Sequence, residues 1–163
     1  MIDFRVQRLD KIIGGLTFQL TYDKKGFKTQ NSSNNLDYSA SIAVREDAFF
    51  LIEPIFSIHC SNERTPEQKT YYHYGLNYHD TESLESIVKD LKKLKEDIEK
   101  GKIPAFLTTS EYRIPKKIKK ILTIPRIRYK YQNEMLVFIG EISNYLSLAI
   151  DDDTIKGAWV LGI

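Results

Sequence analysis

Residues 16–22 read Leu-Thr-Phe-Gln-Leu-Thr-Tyr, with Leu16, Phe18, Leu20 and Tyr22 on one side and Thr17, Gln19 and Thr21 on the other. Strict alternation of this kind predicts a strand with one buried face and one wet face. Gly14-Gly15 punctuates it in front, and Lys24 to Asn35, which has no periodicity, is expected to be a loop. Tyr38, Ala40, Ile42 and Val44 alternate again. Arg45-Glu46-Asp47 then supplies a turn, and the apolar stretch Ala48 to Cys60 reads as the second strand of a hairpin, with Pro54 at a bulge or an edge. Thr70 to His79 carries four tyrosines in ten positions, which fits a strand with one wet face.

A different period follows. Leu84, Ile87, Val88, Leu91, Leu94 and Ile98 recur at three- and four-residue intervals, with Asp80 or Thr81 available as N-cap and Gly101 placed to close the end. This predicts an amphipathic helix over about 81–100 whose outer face, from Glu82 to Glu99, is mixed and solvated. Ala105 to Thr109 reads as a short strand, and Pro115 to Leu122 as one or two helical turns or an irregular basic connection. Ile127 to Tyr131, Met135 to Ile142 and Tyr145 to Ile150 are spaced by Gln132-Asn133-Glu134 and Ser143-Asn144, as in an antiparallel meander, and Ala158 to Ile163 adds a last strand. The expected fold class is α+β, a mostly antiparallel twisted sheet with one long helix packed on it.

Composition bounds this picture. A chain of 163 residues with 42% hydrophobic and 28% charged residues is long enough to bury its own core, so a single domain over 1–163 is expected. One cysteine, Cys60, excludes an intramolecular disulfide and points to a reducing, cytoplasmic setting. The first eight residues mix charges where a signal peptide needs a continuous apolar stretch. The longest apolar runs, Ala48 to Ile52 and Met135 to Ile139, are far shorter than the roughly 20 residues of a membrane span, so no membrane association is expected.

Candidate chemistry is sparse. Gly14-Gly15 has no following Lys-Ser/Thr and no third glycine in register, so neither a P-loop nor a dinucleotide fold is expected, and no cofactor is implied. The histidines are His59, His73 and His79, without a cysteine pair at zinc spacing. On one strand His73 and His79 would lie roughly 20 Å apart, too far to share an ion, so no metal site is expected. His59 and Cys60, as strand neighbours, point to opposite faces. The acidic run Asp151-Asp152-Asp153 reads as a solvated turn, and no nucleophile elbow occurs. His73 and His79 among Tyr71, Tyr72, Tyr74 and Tyr78 are the candidates for acid–base cleavage in a small nuclease or hydrolase; otherwise no catalytic residue is assigned.

Charge, read by position, is more informative. The net +2 is the sum of two opposed parts. Arg113, Lys116, Lys117, Lys119, Lys120, Arg126, Arg128 and Lys130 carry +8 with no acidic residue among them, which leaves 16 basic against 22 acidic residues, a balance of −6, in the rest of the chain. Tyr112, Tyr129 and Tyr131 interleave with them. In a strand, Arg126, Arg128 and Lys130 share a face, a stripe suited to phosphates or to an acidic protein surface. Tyr112 and these eight basic residues are the predicted partner-binding set.

The size, the helix from Asp80 to Gly101 among aromatic-rich strands, and the missing catalytic motifs resemble the immunity proteins of bacterial polymorphic-toxin and contact-dependent growth-inhibition systems. The resemblance implies a compact, non-enzymatic cytosolic protein that caps a cognate toxin domain. Immunity proteins for basic nucleases usually present acidic charge, whereas the concentrated patch here is basic. Either the toxin surface is acidic, or the acidic remainder of the chain makes the contact. The alternative is a nucleic-acid-binding accessory protein using residues 113–130, against which the modest pI of 8.5 weighs.

Overall fold

In a computed structural model, residues 1–11, 15, 17–24, 40–60, 75–107 and 114–162 are described. The strands are β1 (Gln7–Arg8), β2 (Thr17–Lys24), β3 (Ile42–Arg45), β4 (Leu76–Asp80) and β5 (Ile155–Gly162). They form one antiparallel sheet in the order β1-β3-β2-β5-β4. The helices are α1 (Glu46–Phe49), α2 (Glu53–Ile58), α3 (Thr81–Glu99), α4 (Lys116–Thr123) and α5 (Pro125–Asp151). The expected α+β architecture is therefore present. The alternation read at 16–22 falls on β2, with Phe18 and Leu20 buried on the core face and the register setting Leu20 opposite Val160 and Tyr22 opposite Ala158. The face read as wet is covered: Thr17 and Thr21 are buried and Gln19 is only partly exposed. Among the described residues no helix is long and apolar enough to cross a membrane.

The helix predicted from Leu84 to Ile98 is α3, and all six of its periodic apolar residues are buried. The Asp80 carboxylate accepts a hydrogen bond from the Ser83 amide at 2.8 Å, and Gly101 adopts φ +68° just past the far end. Asp80→Ala removes that cap while Asp80→Asn keeps an acceptor. The alanine variant is expected to lose about 1 kcal/mol in urea unfolding and the asparagine variant much less.

Three expectations are corrected. First, Ala48 to Cys60 is not the second strand of a hairpin. β3 runs directly into α1, whose first turn carries Glu46 and Asp47, and Pro54 sits in the first turn of α2, where its missing N–H costs nothing. Ala48 and Phe49 of α1, Leu51 and Ile52 in the turn between the helices, and Ile55 and Phe56 of α2 are buried. Second, Ala105–Leu107 is a 3-10 turn rather than a strand. Third, residues 127–150 are not a meander but part of α5, 27 residues long, so the sheet carries a second long helix beside α3. Met135, Phe138, Ile139, Ile142, Leu146 and Ala149 line its buried side. The loop at 25–35, Tyr38, and residues 70–74 of the tyrosine-rich segment lie outside the described residues.

α5 is tied to the sheet by tyrosines. The Tyr145 hydroxyl donates toward the carbonyls of Leu20 (3.0 Å) and Ala40 (2.9 Å). The Tyr22 hydroxyl donates to the Tyr145 carbonyl at 2.7 Å, with the two rings stacked. At the other end of the sheet β4 and β5 approach so closely at Gly157 that a Cβ there would collide with the His79 carbonyl.

One half-buried carboxyl links the fold to pH. Burial pushes Glu53, at the start of α2, from an ordinary 4.5 up to about 7, with Glu46 adding repulsion. The folded protein then holds this proton more tightly than the unfolded chain. The contribution to stability is present below about 4.5 and is lost as pH rises toward 7. Glu53→Gln should flatten that slope and raise stability at pH 8 by about 1 kcal/mol, well short of the full shift because the α2 N-terminus attracts the charge and the carboxyl keeps some solvent contact. Urea unfolding at pH 5 and pH 8 measures the difference; equal slopes for both proteins would contradict it.

Candidate partner-binding surface

The basic segment folds as two consecutive helices. α4 follows Pro115 and buries Ile118, Ile121 and Leu122, whose spacing defines its inner side. Lys116, Lys119 and Lys120 are left exposed on the outer side. Lys117 is committed internally: its Nζ lies 2.9 Å from Asp47 Oδ2 and 3.4 Å from the Met1 carbonyl, fastening α4 to α1 and to the N-terminal segment. After Ile124, Pro125 opens α5.

The strand expectation put Arg126, Arg128 and Lys130 on one face. On a helix each residue advances about 100°, so Arg126 and Lys130 stay together and Arg128 turns to the other side. Arg128 Nη1 donates to the Leu122 carbonyl at 3.4 Å, and Nη2 would stand 3.3 Å from a Cβ at Gly101. Gln132, one turn on, donates to the Ile98 carbonyl at 3.4 Å. Arg128 and Gln132 thus serve the carbonyl ends of α3 and α4, where a cation is stabilised by the helix dipoles. Tyr112 and Arg113 lie outside the described residues.

Five of the predicted residues remain as an outward cationic set: Lys116, Lys119 and Lys120 on α4, and Arg126 and Lys130 on α5. Among the described residues none of them has an ion-pair partner. Lys130 Nζ stands 5.7 Å over the Tyr131 ring. Tyr129, which the strand reading turned away from the arginines, is 83% exposed and sits one turn from Arg126 on the same stripe. The first turns of α4 and α5 contain no acidic residue, so both helix N-termini add positive potential. Such a surface attracts anionic groups and offers an aromatic ring for contact.

His59, His79 and Cys60 have structural partners. His79 is fully buried; its Nδ1 lies 3.1 Å from the His59 carbonyl and 3.0 Å from the Ser83 hydroxyl, which itself donates to that carbonyl. Together they bind the end of α2 to the start of α3. His59 Nε2 pairs with Asp90 at 2.8 Å, and Cys60 Sγ points at the Tyr78 carbonyl at 3.6 Å. His73 lies outside the described residues. Among the described residues no three His, Cys, Asp or Glu side chains are placed to hold a metal ion. In the acidic run, Asp152 Oδ1 accepts from the Thr154 amide (2.9 Å) and hydroxyl (2.6 Å), forming the turn into β5.

The sequence reading missed the solvent stripe of α5 beyond Lys130: Glu134, Val137 and Glu141. Scanning 125–151 at a period of 3.6 places these residues opposite Met135, Phe138, Ile139 and Ile142 and would have found them. No family model matches the chain, and neither a curated protein nor a solved structure is significantly similar to it.

Proposed function

We propose that this chain is a protein-binding module, an immunity protein acting in the bacterial cytoplasm, that neutralises a cognate toxin domain by docking an acidic surface of that domain on the cationic face of α4 and the first turn of α5. The observation that carries the reading is the set of five exposed cations, without ion-pair partners among the described residues, on two helices whose apolar sides are locked into the core. Rigid presentation lowers the entropic cost of binding, and unpaired charge speeds encounter with an opposite surface. A protein partner is favoured over nucleic acid because the remainder of the chain carries −6 and would repel an extended polyanion, and because Tyr129 places an aromatic beside the cations, as protein interfaces do.

The test is neutralisation. The toxin domain encoded beside this chain is induced in cells carrying the wild-type chain or the Lys116→Glu, Lys120→Glu variant, with soluble levels matched. Wild-type chain is expected to restore growth and the variant to fail. Equal protection by both, or a neighbouring product that does not affect growth, overturns the proposal. Salt-labile binding of short RNA or DNA duplexes that the same variant abolishes would replace the protein partner with nucleic acid.

A further inference from the structure

The outward side of α5 carries residues that the fold itself does not explain. Asn133, Val137, Gly140, Asn144 and Leu148 recur at intervals of three and four positions, opposite the buried Met135, Phe138 and Ile142, and so share one solvent-facing stripe. Val137 is 60% exposed and Leu148 62%. Between them stands Gly140. Glycine destabilises a helix interior, yet a Cβ built at this position would meet nothing within 4 Å. Among the described residues no neighbour demands a glycine there. What it supplies is bare helix backbone beside an exposed valine, which lets a second helix come close at that point.

The same stripe is oppositely charged at its two ends. Arg126 and Lys130 stand at the start of α5, whose first turn has no acidic residue, and Asp151 stands at its end, followed by Asp152 and Asp153. All of these are exposed, and the helix dipole runs in the same sense, positive at the start and negative at the end. The helical rise sets Arg126 and Asp151 about 38 Å apart, so they cannot meet within one molecule. A second copy laid antiparallel brings them together twice. With the two-fold axis between Phe138 and Ile139, Arg126 faces the partner's Asp151, Asn133 the partner's Asn144, and Val137 the partner's Gly140. Charge then meets opposite charge, amide meets amide, and a branched side chain lies over bare backbone. On one rim Glu134 comes near the partner's Glu141, a like-charge contact that opposes the pairing and is screened because both residues are exposed.

We infer that α5 is the contact of a symmetric dimer, in which the outward sides of two copies pack antiparallel across Gly140. A second copy fits this stripe better than an unrelated helix, because the charge, amide and valine–glycine pairings all close under one two-fold axis. One helix pair lies toward the small end of specific interfaces, which begin near about 1,200 Å² of total buried surface, so dissociation is expected at micromolar concentration. The inference does not rest on the toxin reading. The dimer occupies Arg126 and Lys130 but leaves Lys116, Lys119 and Lys120 of α4 outward.

Sedimentation equilibrium of the full chain, from about 1 to about 500 µM, tests this. Wild-type protein is expected to pass from monomer to dimer across that range. Gly140→Gln puts a good helix former where the fold has room, so it should raise the urea midpoint of the monomer while weakening the dimer about tenfold or more. The opposite signs separate a contact across Gly140 from a fault in the fold. Asp151→Arg should weaken the dimer to a similar extent, and adding Arg126→Asp should restore it, because the exchanged charges meet again in the antiparallel register. Glu134→Lys should tighten the dimer by turning the rim repulsion into attraction. Lys116→Glu with Lys120→Glu, which tests the toxin reading, should leave self-association within about twofold. The inference is overturned if the wild-type chain stays monomeric throughout, if Gly140→Gln associates as wild type does, or if the double exchange recovers nothing of what Asp151→Arg loses. Weakening by Glu134→Lys, or loss of the dimer on reversing Lys116 and Lys120, would also overturn it by placing the contact elsewhere.

Discussion

Replacing Phe49 with alanine is expected to cost the protein about 3–5 kcal/mol, the range for emptying a large aromatic site in a packed core. Phe49 is fully buried, stacked on Phe18 of β2 at 4.0 Å with an interplanar angle of 11°, and tilted on Phe56 of α2 at 5.4 Å. One ring therefore joins three elements, α1, β2 and α2. Phe50, the next residue, is only partly buried, and its alanine variant should lose markedly less. Urea denaturation of the two variants side by side measures the contrast. Similar losses at 49 and 50 would mean that α1 does not present Phe49 inward as described.

The same contrast explains what was legible in the chain. α3 was readable because burial and periodicity agree, its charges lying opposite Leu84 to Ile98 with Asp80 in place as cap, whereas in β2 the alternation located the strand but not its exposure, since Thr17 and Thr21 are buried beside Phe18 and Leu20. Residues 48–58 and 127–150 were misread because isoleucine, phenylalanine and tyrosine occur there in short runs broken by Gln132-Asn133-Glu134 and Ser143-Asn144, a composition that favours strands. Packing overrode it. Met135, Phe138, Ile139, Ile142, Leu146 and Ala149 match a helix facing α3 and the sheet, and burying that side outweighs weak local preference. In the candidate site, the excess of charge was visible but its sorting was not. Lys117 is withdrawn by Asp47, distant in sequence, and Arg128 by the ends of α3 and α4, and no local pattern announces either partner.

Reversing Lys116 and Lys120 together should weaken binding of the proposed partner, an acidic toxin domain, about 100-fold. Both side chains are exposed on α4 and make no ion pair among the described residues, so the change removes two attractions and adds two repulsions without disturbing Ile118, Ile121 or Leu122. Fold stability should stay within about 0.5 kcal/mol of wild type, as for surface substitutions elsewhere. Much of the loss is expected in the association rate, because unpaired surface charge acts chiefly through steering, and it should shrink as salt shortens the screening length. Lys117→Ala is the internal contrast: it breaks the contact with Asp47 and should lower stability slightly while leaving affinity nearly unchanged.

The most direct measurement is calorimetric titration of the proposed partner, the purified product of the neighbouring gene, into wild-type protein and into the Lys116→Glu, Lys120→Glu variant at low and at physiological salt. The account predicts a one-to-one complex whose affinity falls with salt and is about 100-fold weaker in the variant. Equal affinity for the two proteins at both salts would contradict it.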